Sequence, residues 1–403
     1  MFKWLRDYLY FLYRCVVLSF YGGGLFYSWM TLLTIVSLVG LNAYCKQLAE
    51  GLYLTGMSDH VSWGMYIANF TYLVGMAAAA VMLVIPVYVY KSERLRDVVI
   101  FGELFAIAAI IMCLLFVIVD LGRPERFWHL IPGIGKFNWP YSMLSWDVVV
   151  LNVYLLLNMH VAGYLLYMRY LGRHPNKYFY KPFIFVSIVW AVSIHTVTAF
   201  LFAGLSGKSF WNSAILGPRF IASAFASGPA FIILTLQVIN RVTEYRISDR
   251  ALLALRRIMQ VTMAVNLFLL GNELFVEFYA DSLHVASMEY LFFGLDGHRM
   301  LVPWIWTAVV FNVTSLILMI LPLSRGIRWL NIACVLCIFG IWIEKGMGLL
   351  IPGFIPTPLG EIVEYAPTIN ETLVCFGVWA FGFLIYTILL KLSIPILLGK
   401  FKI

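Results

Sequence analysis

Charged residues are scarce in this chain of 403 residues: Asp, Glu, Lys and Arg together make up 12% of the sequence. Hydrophobic residues make up 62%, and the mean hydropathy is +0.89. A soluble domain carries roughly 25% charged residues, so a soluble fold of this length could not cover so much apolar surface. Disorder is excluded as well, because disordered chains have low hydrophobicity. The composition therefore predicts a polytopic membrane protein.

Metal-binding motifs are also lacking. The six cysteines are scattered, and the one close pair, Cys334 and Cys337, lies in the apolar run IACVLCIFG. No second pair follows that would complete a zinc or iron–sulfur site, so buried, unreactive thiols are the simpler interpretation. We therefore expect no metal in this chain and expect that a partner supplies any redox centre.

A cleavable leader is not indicated either. The N-terminal stretch mixes charged and aromatic residues and lacks a small-residue cleavage site. We expect residues 1–24 to form an interfacial amphipathic segment. Residues 25–403 are then predicted to form one membrane domain.

Long apolar runs are abundant. A helix needs about 20 apolar residues to cross the hydrocarbon core, and ten runs meet this requirement. They lie near 25–44, 62–90, 98–120, 143–168, 182–203, 218–240, 257–279, 301–323, 328–350 and 372–397. The predicted fold is all-α and polytopic, with about ten transmembrane helices and no sizeable soluble domain.

The distribution of Lys and Arg predicts the orientation. Of the 28 basic residues, 20 lie in the N-terminal segment, in alternate connections and near the C-terminus. Seven, Arg219 among them, lie in the remaining connections, and Lys345 lies within a predicted span. The positive-inside rule predicts a multi-pass protein of the cell membrane with both termini in the cytoplasm. Because these residues form short clusters between apolar runs, the net charge of +8 indicates topology and not nucleic-acid binding.

The connections predicted to lie outside are rich in Gly, Pro and aromatic residues. They comprise residues 121–142, 204–217, 280–300 and 351–371. Such a rigid aromatic surface is typical of a docking face for a partner. The alternative is that these loops simply pack on the helix ends.

Ionisable residues within the apolar runs are candidate functional residues, because a charge is costly to bury in a membrane. Glu273 and Glu277 are four residues apart and would share one helical face, about 6 Å from each other. Two neighbouring carboxylates disfavour simultaneous ionisation, which would let one accept a proton. Asp120 and Asp147 are predicted at the same outer side. The alternative is that these acids form structural pairs with a nearby Arg or Lys.

Haem binding is not expected. His195 lies about 12 Å and His160 about 25 Å from the predicted outer ends of their helices. Two axial ligands on facing helices must lie at similar depth, so these two histidines do not form a predicted haem site.

Four segments carry a family resemblance. They are HVSWGMYIANFTYLVGMAAAAVML at 60–83, VDLGRPERFWHL at 119–130, GNELFVEFYADSLHVASMEYLFFGLDGHRMLVPWIW at 271–306, and WIEKGMGLLIPGFIPTPLGEIVEYAPT at 342–368. In this order and on ten spans, they resemble the NrfD/polysulfide-reductase (PsrC-like) family of quinone-interacting membrane subunits. The ten spans and the last two segments most resemble the branch that contains the DsrP, HmcC and HybB subunits. Within that branch, the loop GFIPTPLGEIVEY most resembles the DsrP type. In that branch, DsrP belongs to the Dsr-type complexes associated with sulfite reduction, which in archaea are described as Hdr-like menaquinol-oxidising complexes.

The resemblance implies a role in electron transport. Family members carry no redox centre of their own and bind a quinone near the outer face, beside a ferredoxin-like iron–sulfur subunit. For this chain it implies menaquinone as the bound molecule, with further membrane and cytochrome subunits of a Dsr-type complex as partners. It also implies two four-helix bundles, formed by spans two to five and six to nine, with the first and last spans flanking them.

The quinone head group is therefore expected near the outer face. The predicted proton-handling residues are Glu273, Glu277, Asp120 and Asp147, and the predicted quinone-binding residues are His60, Trp63, Asn69 and Arg123. Arg123 is expected to keep Asp120 ionised or to orient a quinone carbonyl. Two alternatives remain at this point, a proton-coupled secondary transporter and a passive membrane anchor without a quinone.

Overall fold

The structure, a computed structural model, describes residues 2–96, 98–280 and 285–401. Residues 281–284, which belong to a predicted outer connection, lie outside the described residues. Lys402, one of the basic residues counted near the C-terminus, also lies outside them. The α-helices are α1 (Phe2–Phe20), α2 (Gly24–Glu50), α3 (Met65–Ala78), α4 (Val81–Val84), α5 (Val99–Asp120), α6 (Met143–Tyr170), α7 (Lys177–Ala203), α8 (Leu216–Val242), α9 (Asp249–Ala280), α10 (Val285–Phe292), α11 (Val302–Ile320), α12 (Ile327–Lys345), α13 (Met347–Leu350) and α14 (Ile369–Leu397).

Ten helical segments of the described chain are long and apolar enough to cross a membrane, which confirms the all-α prediction. The second span joins α3 and α4 to a π-helical turn at Ile85–Val89, and the ninth joins α12 and α13 to a 3₁₀ turn at Ile351–Phe354. Helix α9 begins at Asp249, eight residues before the predicted start, because Ala251, Leu252 and Leu255 continue its buried face. We call the face that carries the long connections after α2, α5, α7, α9 and α13 the loop face.

Eight spans form two four-helix bundles, as predicted. The first bundle contains α3, α5, α6 and α7, and each helix packs against its neighbours around a closed ring. The second bundle contains α8, α9, α11 and α12 in the same arrangement. The flanking helices α2 and α14 pack along each other, and α14 rests on α5 of the first bundle.

The two bundles meet where small residues of α3 and α8 face each other. A Cβ atom on Gly228 would lie 1.8 Å from the Cβ of Ala79, and one on Gly75 would lie 3.4 Å from the Cβ of Ala224. Small side chains let helix backbones approach closely within a membrane. The alanine-rich run in the second span is therefore a helix-packing surface.

The interruption of the ninth span lies beside two charged residues. Helix α12 ends at Glu344 and Lys345, and Gly346 leaves the helical conformation with φ −86° and ψ −104° before α13 continues. Irregular backbone at membrane depth is tolerated where protein buries it. Both charged side chains are buried here, at 3% exposure each.

Helix α1 packs against the ends of other helices at the face opposite the loop face. The guanidinium of Arg14 lies 4.5 Å from the ring centre of Phe401 and donates a hydrogen bond to the hydroxyl of Tyr170 at 3.2 Å. These contacts fix the N-terminal helix to α6 and to the C-terminal end of α14. Its interfacial position in the membrane stays a prediction.

Candidate functional site

A buried cluster of four charged side chains lies inside the second bundle. Arg219 of α8 forms an ion pair with Glu273 of α9, and its second guanidinium nitrogen donates to Glu344 Oε1 of α12 at 3.1 Å. The ammonium of Lys345 lies 3.0 Å from the same oxygen. All four side chains are at most 7% exposed, so two cations and two carboxylates balance within the bundle. Charged side chains can stay buried in a medium of low dielectric constant when each is paired with an opposite charge.

Two asparagines complete the surroundings of Glu344. Asn266 of α9 and Asn312 of α11 donate their amide groups to Glu344 Oε2, at 3.1 and 2.9 Å. One carboxylate thus connects all four helices of the bundle. Within the described residues, the carbonyl oxygens of both asparagines have no hydrogen-bond partner.

The cluster lies in the half of the membrane domain nearest the loop face. Arg219 is three residues from that end of α8 and Glu273 is seven residues from that end of α9. At 1.5 Å per residue, the ion pair lies about 5 to 10 Å inside the helix ends. The position of Glu273 on the outer side of the membrane stays a prediction.

A narrow cavity borders this ion pair. Arg219, Glu273 and Glu344 form its polar side, and Leu270, Phe292 and other apolar side chains form the rest. The space holds about one water molecule. Arg219 lines the cavity, and its guanidinium Nε, a strong donor, has no hydrogen-bond partner among the described residues.

The two acids of α9 that were predicted to act together, Glu273 and Glu277, lie at different depths. Glu273 is buried and bound to Arg219, as the structural alternative anticipated, whereas Glu277 lies one turn nearer the loop face and is half-buried. The Arg219 guanidinium, and not a neighbouring carboxylate, is therefore the group in direct contact with Glu273.

Asp120 and Asp147 occupy separate places near the loop face. Asp147 is buried at the start of α6 and accepts a hydrogen bond from the hydroxyl of Thr198 on α7 at 2.9 Å. Asp120 ends α5, and its Oδ1 is buried without a hydrogen-bond partner in the described part of the chain. Glu371 is close enough to Asp120 to interact with it electrostatically.

Arg123 does not form the expected contact with Asp120. Its side chain is 72% exposed and lies 3.5 Å from Glu125, because the 3₁₀ turn at Pro124–Leu130 directs it away from the helix bundle. His60 is also exposed on the loop face. Both side chains are thus exposed at the loop face.

Trp63 belongs to an aromatic cluster between the two bundles. Its ring stacks on Trp211 at 5.8 Å between centres and meets Phe202 and Phe354 edge-on. The indole nitrogen of Trp211 donates to the carbonyl of Leu349 at 2.9 Å. The cluster fixes the loop-face end of the interrupted ninth span.

Asn69 uses all its hydrogen-bonding groups within the protein. Its carbonyl oxygen accepts from the indoles of Trp342 and Trp379 at 3.0 and 2.9 Å. Its amide donates to the carbonyl of Met65 at 2.8 Å and to the sulfur of Cys375 at 3.6 Å. An asparagine has two donors and two acceptor sites, so this side chain joins α3, α12 and α14.

The two histidines within spans do not face each other. His195 is fully buried and its Nδ1 lies 2.9 Å from the carbonyl of Ala191 one turn earlier. The ring of His160 instead contacts the carbonyl of Phe179 at 3.1 Å. Within the described residues, no three His, Cys, Asp or Glu side chains converge as a metal site would require.

A buried tyrosine and a glutamate fasten the loop face to the first bundle. The hydroxyl of Tyr365 donates to Glu371, which also accepts the backbone N–H groups of Gly56 and Met65 at 3.0 and 2.9 Å. Burial, reinforced by the charge of Glu371, raises the pKa of Tyr365. The phenol therefore stays protonated and keeps donating.

Several buried ionisable residues were not singled out from the sequence, among them Arg219 and Glu103. Arg219 was counted among the connecting loops, although it lies inside α8, and Glu103 was not singled out inside α5. Glu103 is 2% exposed and its Oε2 has no hydrogen-bond partner among the described residues. Their positions could have identified both residues, because Glu103 lies within the predicted apolar run 98–120 and Arg219 within 218–240, where an ionisable residue is a candidate functional residue.

The sequence matches that of a known family across most of this architecture. Residues 53–357 match the profile described as "Polysulphide reductase, NrfD". The chain belongs to the NrfD family. The matched region begins before α3 and ends in the connection after α13, so it contains both bundles of this NrfD protein.

Three relatives are similar over most of their length. A Halobacterium salinarum protein, named provisionally as a membrane subunit of dimethyl sulfoxide reductase, is 27% identical over 85% of this chain and 80% of its own. A selenate reductase subunit of Mesobacillus selenatarsenatis is 25% identical over 90% and 93%. The Hdr-like menaquinol oxidoreductase integral membrane subunit of Archaeoglobus fulgidus is 25% identical over 91% and 93%. The names of these relatives describe subunits of reductase or oxidoreductase complexes.

Proposed function

We propose that this NrfD protein is the quinone-interacting membrane subunit of a respiratory complex and oxidises menaquinol near the loop face. The observation that carries this proposal is the buried cluster of Arg219, Glu273, Glu344 and Lys345 in the half of the membrane domain nearest the loop face. Two relatives support menaquinone as the substrate, since their names include menaquinol oxidoreductase and menaquinone reductase.

The reaction requires separate destinations for electrons and protons. Menaquinol loses two electrons and two protons as its two hydroxyl groups become carbonyl groups. The electrons pass one at a time to oxidised iron–sulfur clusters of a ferredoxin-like partner on the loop face. The protons pass to carboxylates, and Glu273 is the proposed first acceptor because it lines the cavity and contacts a fixed guanidinium.

The chain's own residues orient the head group. Arg219 lines the cavity and has an unused Nε donor among the described residues; a quinone carbonyl oxygen is a suitable acceptor for it. Asp120 and Asp147 are further proposed acceptors in the same half of the membrane. Exposed Arg123 and His60, together with the aromatic loop 121–142, form the proposed docking surface for the iron–sulfur partner.

The metabolic setting proposed is dissimilatory sulfur or sulfate respiration, in a Dsr-type complex with further membrane and cytochrome subunits. It rests on the likeness of the loop GFIPTPLGEIVEY to the DsrP type. The relatives act in complexes named for different acceptors, including selenate and dimethyl sulfoxide. The terminal acceptor is therefore a property of the partner subunits.

The first test is the quinone content of the purified complex. We expect about one menaquinone per copy of this chain after solubilisation in mild detergent. A complex that is intact and contains no quinone, and that does not oxidise added menaquinol, would make this chain a passive anchor.

The second test is Glu273→Gln, which removes the titratable proton but keeps a hydrogen-bond acceptor for Arg219. The unbalanced positive charge should lower the melting temperature, but assembly is expected to survive because Arg219 also binds Glu344. Menaquinol oxidation should fall by about 10²-fold or more, the usual scale for loss of a general base. Normal turnover would exclude Glu273 as the base. If Asp120→Asn and Asp147→Asn also left menaquinol oxidation unchanged, the proposed position of the quinone site near the loop face would be wrong.

A further inference from the structure

Helix α9 carries an asparagine on the side that faces away from the interior of the second bundle. Asn272 is exposed, although the next residue, Glu273, is buried. Asn272 lies fifteen residues, or about 22 Å, along the helix from the exposed Arg257. Because a hydrocarbon layer of about 30 Å begins no earlier than this charged residue, Asn272 lies about 8 Å or more inside the layer. Within the described residues its amide makes no hydrogen bond, and such a group is costly in hydrocarbon.

Other exposed asparagines at a similar distance from the loop face have a local solution. Asn152 of α6 donates its amide to the carbonyl of Val148, one turn earlier, at 2.8 Å. Asn42 of α2 lies one turn from the exposed Lys46, at the polar end of that helix. Between Asn272 and the loop-face end of α9, by contrast, the exposed side chains are apolar or aromatic. We therefore expect the partner of Asn272 to come from another chain.

Asn272 belongs to a regular row of exposed side chains along α9, which we call the outer stripe. Its members are spaced alternately by four and three residues, which places them on one helical face and is the spacing of a seam between packed helices. In chain order they are Val261, Val265, Phe268, Asn272, Phe275 and Tyr279. The five members other than Asn272 are apolar or aromatic and 44% to 80% exposed. A single polar position in an otherwise apolar seam can fix its register.

The outer stripe borders an unfilled apolar groove. Helices α8 and α12 of the second bundle pack against α3 of the first bundle, and α9 and α11 form the other side. The groove lies between α9 and α11 and has a volume of about 390 Å³. Gly271 lines it and has no atom within 4 Å of the position of a Cβ. Phe268 and Phe275, three residues before Gly271 and four after it, are its neighbours on the helix surface. Exposed rings thus stand beside a space of a size that accepts rings.

We propose that the outer stripe is the interface between two copies of this chain, related by a two-fold axis along the membrane normal. Copies inserted in the same orientation hold their Asn272 side chains at the same depth. An asparagine side chain both donates and accepts hydrogen bonds, so two facing Asn272 amides satisfy each other. A two-fold interface requires a surface that fits itself, and the exposed rings of one copy meet the groove of the other. A helix of a different subunit would need its own polar side chain at this depth.

Disulfide crosslinking in membranes that contain the assembled complex tests the interface. The background variant is Cys45→Ser, because Cys45 is exposed whereas the other five cysteines are buried. In this background, Asn272→Cys should form a disulfide between two copies under mild oxidation, since facing positions of a seam bring Cβ atoms near the separation of about 4 Å that a disulfide needs. Asn42→Cys and Asn152→Cys are matched controls, because both are exposed asparagines of spans, and neither should crosslink.

The crosslinked product identifies the occupant of the outer stripe. A product that contains two copies of this chain, formed by Asn272→Cys and by neither control, would support the proposal. A product that joins this chain to a different protein would overturn it, because the stripe would then bind a helix of a partner subunit. No product from Asn272→Cys, or an equal yield from either control, would also overturn it.

The association of the purified complex provides a second measurement that does not depend on a new cysteine. Asn272→Leu keeps an apolar seam but removes both reciprocal hydrogen bonds, so the dissociation constant of the two copies in detergent should rise by about tenfold. Asn42→Leu should leave it unchanged. An unmodified complex with a single copy of this chain at every concentration would overturn the proposal. Unchanged association in Asn272→Leu, or weaker association in Asn42→Leu alone, would do so as well.

Discussion

Arg219 and Glu273 form an ion pair between α8 and α9 in the interior of the second bundle, with both side chains at most 7% exposed. Lys345 and Glu344 form a second pair beside it, so the whole group carries no net charge. A buried pair of this kind adds little net stability, but removal of one member leaves an uncompensated charge. The arrangement therefore predicts a specific pattern of single and double substitutions.

Arg219→Leu should destabilise the complex by about 3–5 kcal/mol, because Glu273 would remain ionised and unpaired in the bundle. The double variant Arg219→Leu with Glu273→Leu should recover most of this loss, since Lys345 and Glu344 still balance each other. Thermal unfolding of the detergent-solubilised complex measures both. A double variant as unstable as the single one would show that the pair is not the source of the loss.

The contact between the bundles depends on Gly228. Gly228→Ala should destabilise the protein by about 1–3 kcal/mol through overpacking, because its Cβ would lie 1.8 Å from that of Ala79. Adding Ala79→Gly should rescue it, since the nearest remaining atom is the Cα of residue 79 at 3.2 Å.

The control for this contact lies in the same helix. Gly217→Ala places a methyl group in open space, so it should leave the melting temperature unchanged or raise it slightly. Equal effects of Gly217→Ala and Gly228→Ala would point to helix propensity instead of close packing.

Asn69→Leu separates a packing role from a quinone-binding role. It leaves the indole donors of Trp342 and Trp379 without an acceptor, each at a cost of about 1–3 kcal/mol. We expect a lower melting temperature and an unchanged KM for menaquinol, with Asn69→Asp restoring the acceptor. An increased KM at an unchanged melting temperature would instead favour the quinone role predicted from the sequence.

The orientation of the chain can be tested with reporter fusions. The excess of Lys and Arg in alternate connections predicts that the loop face lies outside the cell membrane and that both termini lie in the cytoplasm. Fusions after residue 135 should report an external position, and fusions after residue 250 a cytoplasmic one. The reverse pattern would place the docking surface on the cytoplasmic side.

Much of the fold was accessible from the sequence. Apolar runs longer than the hydrocarbon thickness predicted the ten spans, and the family resemblance predicted the two bundles. Helix ends were less predictable, since α9 extends eight residues beyond its apolar run on the strength of packing by Leu252 and Leu255. Hydropathy does not register such local tertiary contacts.

The site was only partly accessible. Glu273 was recognised because an acid inside an apolar run is costly, but its partner Arg219 was assigned to a loop. Which helices meet in the bundle decides this pairing, and a single sequence contains no direct signal for it. Likewise, the local turn after α5, and not residue spacing, directs Arg123 toward Glu125 and away from Asp120.

We propose that menaquinol bound by this protein passes its electrons to an iron–sulfur partner on the loop face. The most direct measurement is rapid-mixing spectroscopy of the partner's clusters after menaquinol is added to complexes with and without this chain. The clusters should be reduced in the complete complex and stay oxidised when this chain is absent. Equal reduction of the clusters without the chain would contradict it.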